Sequence, residues 1–76
     1  MSKAVELYAS RDCPHCAAAR EDFEWRGVAL VEYDVEQDRE AYARMLALTE
    51  GSHVVPVIVE EGKPPQIGWM GRGCTI

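Results

Sequence analysis

The feature that most constrains this chain is a short alternating strand that runs straight into Cys13-Pro14-His15-Cys16 and then into an alanine-rich stretch. Residues Ala4 to Ala9 alternate, with Val5, Leu7 and Ala9 on one face and Glu6 on the other, as in a half-buried strand. Ser10-Arg11-Asp12 ends it. A helix then begins at Cys13, because Pro14 suits the first helical position, where its missing N–H costs nothing. Cys16, Ala19 and Phe23 share one face of that helix, and Gly27 is its natural stop.

The remaining elements follow from pattern. Val28 to Val35 reads as a second strand, with Val31, Tyr33 and Val35 facing one way and Glu32 and Asp34 the other. Asp38 caps a second helix whose apolar stripe is Ala41, Met45 and Leu48, flanked by Tyr42 and Leu46, and Gly51 ends it. Val54 to Val59 is apolar and β-branched, which fits a buried strand entered through Pro56. Glu61-Gly62 supplies a turn, and Ile67 to Met70 returns as an antiparallel partner. The order is βαβαββ, and the right-handed crossover rule makes the first two strands parallel neighbours with helices covering the sheet.

With 76 residues there is room for a single domain, 1–76, since a chain near this length buries only roughly 60% of its unfolded surface. A net charge of −5 argues against the basic footprint that nucleic acid or an anionic membrane requires. Met1-Ser2-Lys3 leads directly into the first strand without the apolar region of a secretory signal, and no run is long enough to span a membrane. A cytoplasmic protein is expected. In that compartment three cysteines point to catalysis or metal before a disulfide scaffold.

Thiol exchange needs a thiolate, and an ordinary cysteine is mostly protonated at neutral pH. The first N–H groups of a helix lack internal acceptors and carry partial positive charge, which stabilises a sulfur anion at Cys13 but not at Cys16, one turn further in. Cys13 is therefore expected to titrate below a free thiol and to attack, with Cys16 resolving the mixed disulfide. His15 favours the Cys13 anion as a donor or as a cation. Asp12 opposes it and Arg11 offsets Asp12. A structural Cys13–Cys16 disulfide and a zinc or iron–sulfur site built from Cys13, Cys16, Cys74 and His15 or His53 are the competing readings. Phe23 and Trp25 fit packing positions.

These residues resemble the glutaredoxin group of the thioredoxin superfamily, over nearly the whole chain. The resemblance is carried by the strand before Cys13-Pro14-His15-Cys16, by Val55-Pro56 ahead of the third strand, and by Ile67-Gly68-Trp69 after the fourth. It implies an α/β, thioredoxin-like fold: a four-stranded mixed sheet flanked by helices, Val55-Pro56 in the cis form, and a final helix that is short or absent. It also implies a dithiol–disulfide oxidoreductase that reduces protein or glutathione mixed disulfides through Cys13. Arg11, Pro14, Val55, Pro56, Gly68 and Trp69 become substrate contacts. The same resemblance implies a monomer without bound metal or cofactor, with disulfide-containing proteins as substrates and glutathione a possible co-substrate.

The chain departs from that group in two places. Glutathione users commonly follow the fourth strand with Gly-Gly, a Ser or Thr, and an Asp, whereas Gly68-Trp69-Met70-Gly71-Arg72-Gly73 lacks the acid. This segment is similar to the Trp-x-Gly of redoxins that serve ribonucleotide reductase and draw electrons from thioredoxin reductase. A redoxin dedicated to one enzyme is thus one alternative, and a non-enzymatic metal or iron–sulfur module is another. The ending Cys74-Thr75-Ile76 resembles a bacterial group of glutaredoxin-like proteins and selenoproteins with a cysteine or selenocysteine third from the C-terminus. It marks Cys74, on a glycine-flanked tail, as an auxiliary thiol able to exchange with Cys13 or with a partner.

Overall fold

In a computed structural model that describes residues 4–76, the order of elements is β1 (Val5–Ala9), α1 (Pro14–Trp25), β2 (Leu30–Asp34), α2 (Arg39–Leu48), β3 (Val54–Val55), β4 (Val57–Val59), β5 (Gln66–Ile67) and β6 (Cys74–Thr75). The expectation drawn from Met1-Ser2-Lys3 lies outside the described residues. One sheet has the order β2-β1-β4-β5, and β3 and β6 form a separate pair. β1 runs parallel to β2, with Leu7 opposite Glu32, and antiparallel to β4, which is antiparallel to β5. This is the four-stranded mixed sheet expected from the sequence. Among the described residues no helix is long and apolar enough to cross a membrane.

The central position of β1 corrects the half-buried reading. Tyr8, on the Glu6 face, is buried and stacks on Tyr33 with ring centroids 4.9 Å apart, and Arg44 of α2 lies 4.8 Å over Tyr33. That face is therefore covered by α2. Glu6 tolerates its position by accepting a hydrogen bond from the Tyr33 hydroxyl at 3.1 Å. On the other face Arg20 Nε of α1 lies 2.8 Å from Glu32 Oε1, a charge contact without hydrogen-bond alignment. β2 is shorter than the sequence pattern suggests because it is an edge strand, and Val31 is left 41% exposed.

Helix termination follows known rules with one departure. α1 ends in a Schellman arrangement: Gly27 N–H donates to Glu24 O, Val28 N–H donates to Phe23 O, and Gly27 has φ +71. Asp38 caps α2, its Oδ1 accepting from Ala41 N–H at 3.1 Å. Two residues after α2 have positive φ, Glu50 at +57 and Gly51 at +95, and Gly51 N–H reaches back to Leu46 O. Leu48 is exposed rather than part of the buried stripe, which reduces to Ala41 and Met45. Trp25 is 90% exposed and does not pack.

Pro56 divides the apolar run that read as one strand. Its peptide bond with Val55 is cis, and β3 and β4 on either side of it join different partners. β5 stops at Ile67 because Met70 and Gly71 form a tight turn. Trp69 and Arg72 exchange N–H and C=O across it, and both central residues have positive φ, the signature of a type I′ hairpin. Residues 74–75 then run back as β6, with Val55 opposite Cys74 and Val54 opposite Thr75.

Candidate active site

The site is assembled where the N-terminus of α1 meets the loop before Pro56. Cys13 is the N-cap of α1, with extended backbone (φ −94, ψ 116), and its carbonyl accepts from Cys16 N–H at 3.1 Å and Ala17 N–H at 3.3 Å. Pro14 sits at the first helical position as expected and is exposed, and His15 follows it, half-buried. Cys13 Sγ is bonded to Cys74 Sγ, with Cα atoms 6.0 Å apart and a sequence separation of 61. The tail cysteine, rather than the one three residues away, holds the helix-terminal sulfur.

Cys16 is free and fully buried. Its sulfur accepts the Ser10 backbone N–H at 3.5 Å. Burial pushes the Cys16 thiol above its ordinary value of 9.0; the Ser10 N–H pulls it the other way without reversing the shift, and Glu32 adds to the rise. Cys13, as half of a disulfide, has no proton to titrate in this state.

The tail reaches Cys13 along a defined path. Gly68 N–H donates to Pro56 O at 2.7 Å, and a Cβ at Gly68, whose φ is +86, would meet Arg72 O at 2.8 Å. A Cβ at Gly73 would lie 2.6 Å from both Val55 O and Val54 Cγ1. Both positions therefore require glycine for close backbone approach. Ile76 N–H donates to His53 O at 3.0 Å, and Tyr42 Oη lies 2.5 Å from His53 Nδ1, which ties the loop to α2. The glycine-flanked segment is thus a docked strand rather than a loose tail.

A cleft of about 210 Å³ opens beside the disulfide, lined by Ser10, Asp12, Glu36, Thr75 and Ile76 along with the two cysteines. Ser10 Oγ donates to Glu36 Oε1. Arg11 is directed to Asp34, 3.4 Å away, and is largely exposed. Trp69 packs on Phe23, ring centroids 5.7 Å apart. Phe23 is roughly 15 Å of helix rise along α1 from Cys13, so this contact serves the helix more than the sulfurs. Val55 and Pro56, both buried, adjoin the disulfide through the β3–β6 pairing. Among the described residues no three Cys, His, Asp or Glu side chains are grouped to hold a metal ion.

Ser10, Glu36, Gly73, Thr75 and Ile76 are the site residues that the sequence reading missed. The signal that could have found them is the match of two short β-branched runs, Val54-Val55 and Thr75-Ile76, one of them directly following a cysteine.

Comparison with known proteins decides the family. Residues 5–64 match the family model described as Glutaredoxin, a stretch that includes Cys13, Cys16 and Val55-Pro56. The chain belongs to the glutaredoxin family. The probable glutaredoxin slr1562 of Synechocystis sp. is 39% identical over 54 residues, 71% of this chain and 50% of that protein, so the match spans about half the length of this curated relative. The crystal structure of the thioredoxin-like protein BC3987 superposes with a TM-score of 0.79 at 32% identity, covering 87% of this chain and 88% of that one. A point mutant of the same protein gives 0.80 at 34%, covering 90% and 85%. The glutaredoxin of Archaeoglobus fulgidus, at 24% identity and a TM-score of 0.74 over 91% of this chain and 77% of that one, shares the fold. The architecture is thioredoxin-like, as the resemblance implied. The matched glutaredoxin stretch ends at residue 64, ahead of β5, the hairpin and the tail.

Proposed function

We propose that the protein is a thiol–disulfide oxidoreductase in which Cys13 is the attacking sulfur and the Val54–Val55 edge receives the substrate chain. The observation that carries this reading is the Cys13–Cys74 disulfide. The helix-terminal sulfur is covalently joined to a cysteine on an extended strand, and that strand is paired with the backbone just before cis-Pro56. A mixed disulfide with an extended polypeptide needs the same two elements, a reactive sulfur and an unpaired strand edge. In the reduced protein the N-terminus of α1 stabilises the Cys13 anion, and His15 in the first turn supplies a further donor.

Polypeptide disulfides suit the site better than glutathione. Asp12 and Glu36 line the cleft beside the sulfurs, where they repel a ligand bearing two carboxylates, and Arg11 is already paired with Asp34. Electrons then come from an external dithiol, of which thioredoxin reductase is one source consistent with the missing glutathione pattern.

The test is turnover of a protein disulfide by reduced enzyme, followed as thiol release, with a glutathione mixed disulfide run in parallel. Wild-type protein is expected to favour the protein disulfide, and Cys13→Ser to fall to the uncatalysed rate. Full activity in Cys13→Ser would overturn the reading.

A further inference from the structure

The tail is aimed at Cys13, shaped to its seat and reachable from outside. The Met70-Gly71 turn reverses the chain, and residues 74–75 add antiparallel to β3. Gly73 fits where no Cβ would, against Val54 and Val55. With the tail in place Cys13 is only 2% exposed, while Cys74 is half-buried and lines the open cleft. Cys16 is fully enclosed and accepts a backbone N–H.

We propose that Cys74 is the resolving thiol and that it resolves by strand exchange: the tail re-enters the Val54–Val55 edge, displaces the substrate chain, and takes Cys13 out of the mixed disulfide. The inference rests on the oxidoreductase reading above. In the reduced protein the Cys13 thiolate attacks one sulfur of a substrate disulfide. The Cys13–substrate bond forms, the substrate S–S bond breaks, and the departing sulfur leaves with the electron pair and takes a proton. The Cys74 thiolate then attacks Cys13 Sγ. The Cys13–Cys74 bond forms, the bond to substrate breaks, and the second substrate sulfur leaves as a thiolate and is protonated.

One substrate disulfide becomes two thiols, and two enzyme thiols become the disulfide seen in the structure. Because substrate and tail compete for one backbone edge, covalent resolution and product release are a single event. Return to the dithiol state uses an external thiol or dithiol, which meets the more accessible Cys74 sulfur and expels Cys13 as a leaving thiolate at the N-terminus of α1. Cys16, enclosed and protonated at neutral pH, is then a core thiol that supports the Ser10 turn.

The experiment mixes reduced full-length protein with a synthetic cysteine peptide disulfide-linked to thionitrobenzoate. The coloured burst reports the Cys13 step, and mass spectrometry of acid-quenched samples follows the Cys13–peptide adduct. Wild type and Cys16→Ser are expected to release peptide at rates within about twofold, while Cys74→Ser accumulates the adduct and releases peptide about tenfold more slowly. Gly73→Val keeps all three sulfurs but misfits the tail, and is expected to give a normal burst with release about threefold slower. Because the assay starts from reduced protein, loss of the disulfide itself does not confound Cys74→Ser, and a normal burst certifies its fold. A normal burst with wild-type release in Cys74→Ser, and adduct in Cys16→Ser instead, overturns this proposal alone. No burst in the wild type overturns the oxidoreductase reading and this proposal with it.

Discussion

Burial keeps the Cys16 thiol protonated well past neutral pH, and it acts likewise on the Tyr8 phenol, whose value rises above 10.0 through burial first and the nearby Glu6 second. Both groups lose protons more readily in the unfolded chain than in the folded one. Their contribution to stability is therefore complete below pH 9.0, the ordinary thiol value, and declines as pH rises through the raised folded values. Urea titrations from neutral to alkaline pH are expected to show this decline, and Cys16→Ala to flatten its first part. An equally steep loss in Cys16→Ala would mean that Cys16 ionises freely in the fold. The helix-terminal place of Cys13 was legible from Pro14 and the alanine-rich helix that follows. Its bonded partner was legible only as one of two options: short spacing favours Cys16 on paper, the resemblance of the ending marks Cys74 as able to exchange with Cys13, and three-dimensional aim selects Cys74.

At the level of elements, both helices and the three longer strands were legible because period, caps and punctuation agreed at each, whereas the cis form of Val55-Pro56 was implied only by the family resemblance. The misreadings have common physical causes. Alternation in β1 reports Glu6 but not the second covered face, which depends on α2 docking over Tyr8 and Tyr33. Gly51 was a sound stop signal and has positive φ, +95, but Glu50 ahead of it is left-handed as well, at φ +57. A side chain there costs about 1–2 kcal/mol relative to glycine, so Glu50→Gly is expected to stabilise the fold. Part of the gain is lost to unfolded-state entropy, leaving about 1 kcal/mol, or roughly 4–8 °C in Tm for a domain this size. A thermal melt by circular dichroism checks it, and an unchanged or lowered Tm would count against the cap assignment. Met70, 82% exposed at φ +51, is the matching weak point in the hairpin.

For the molecule as a whole, the Cys13–Cys74 bond closes a loop of 61 residues. The chain-entropy account gives about 4 kcal/mol for a loop of that length, a large share of the stability available to a small domain. Reduction is accordingly expected to lower the denaturation midpoint strongly, and Cys74→Ser to match reduced wild type with or without reductant. Equal midpoints for oxidised and reduced wild type would show that the bond is not formed in solution. The two tryptophans stand differently with respect to this closure. Trp25 lies open to water at the end of α1, whereas Trp69 rests on Phe23 at the foot of the hairpin that launches the tail. Trp69 belongs to the hairpin that launches the tail, so reduction is expected to shift the emission maximum through Trp69 while Trp25 stays constant, and an unchanged maximum would show that Trp69 does not sense the tail.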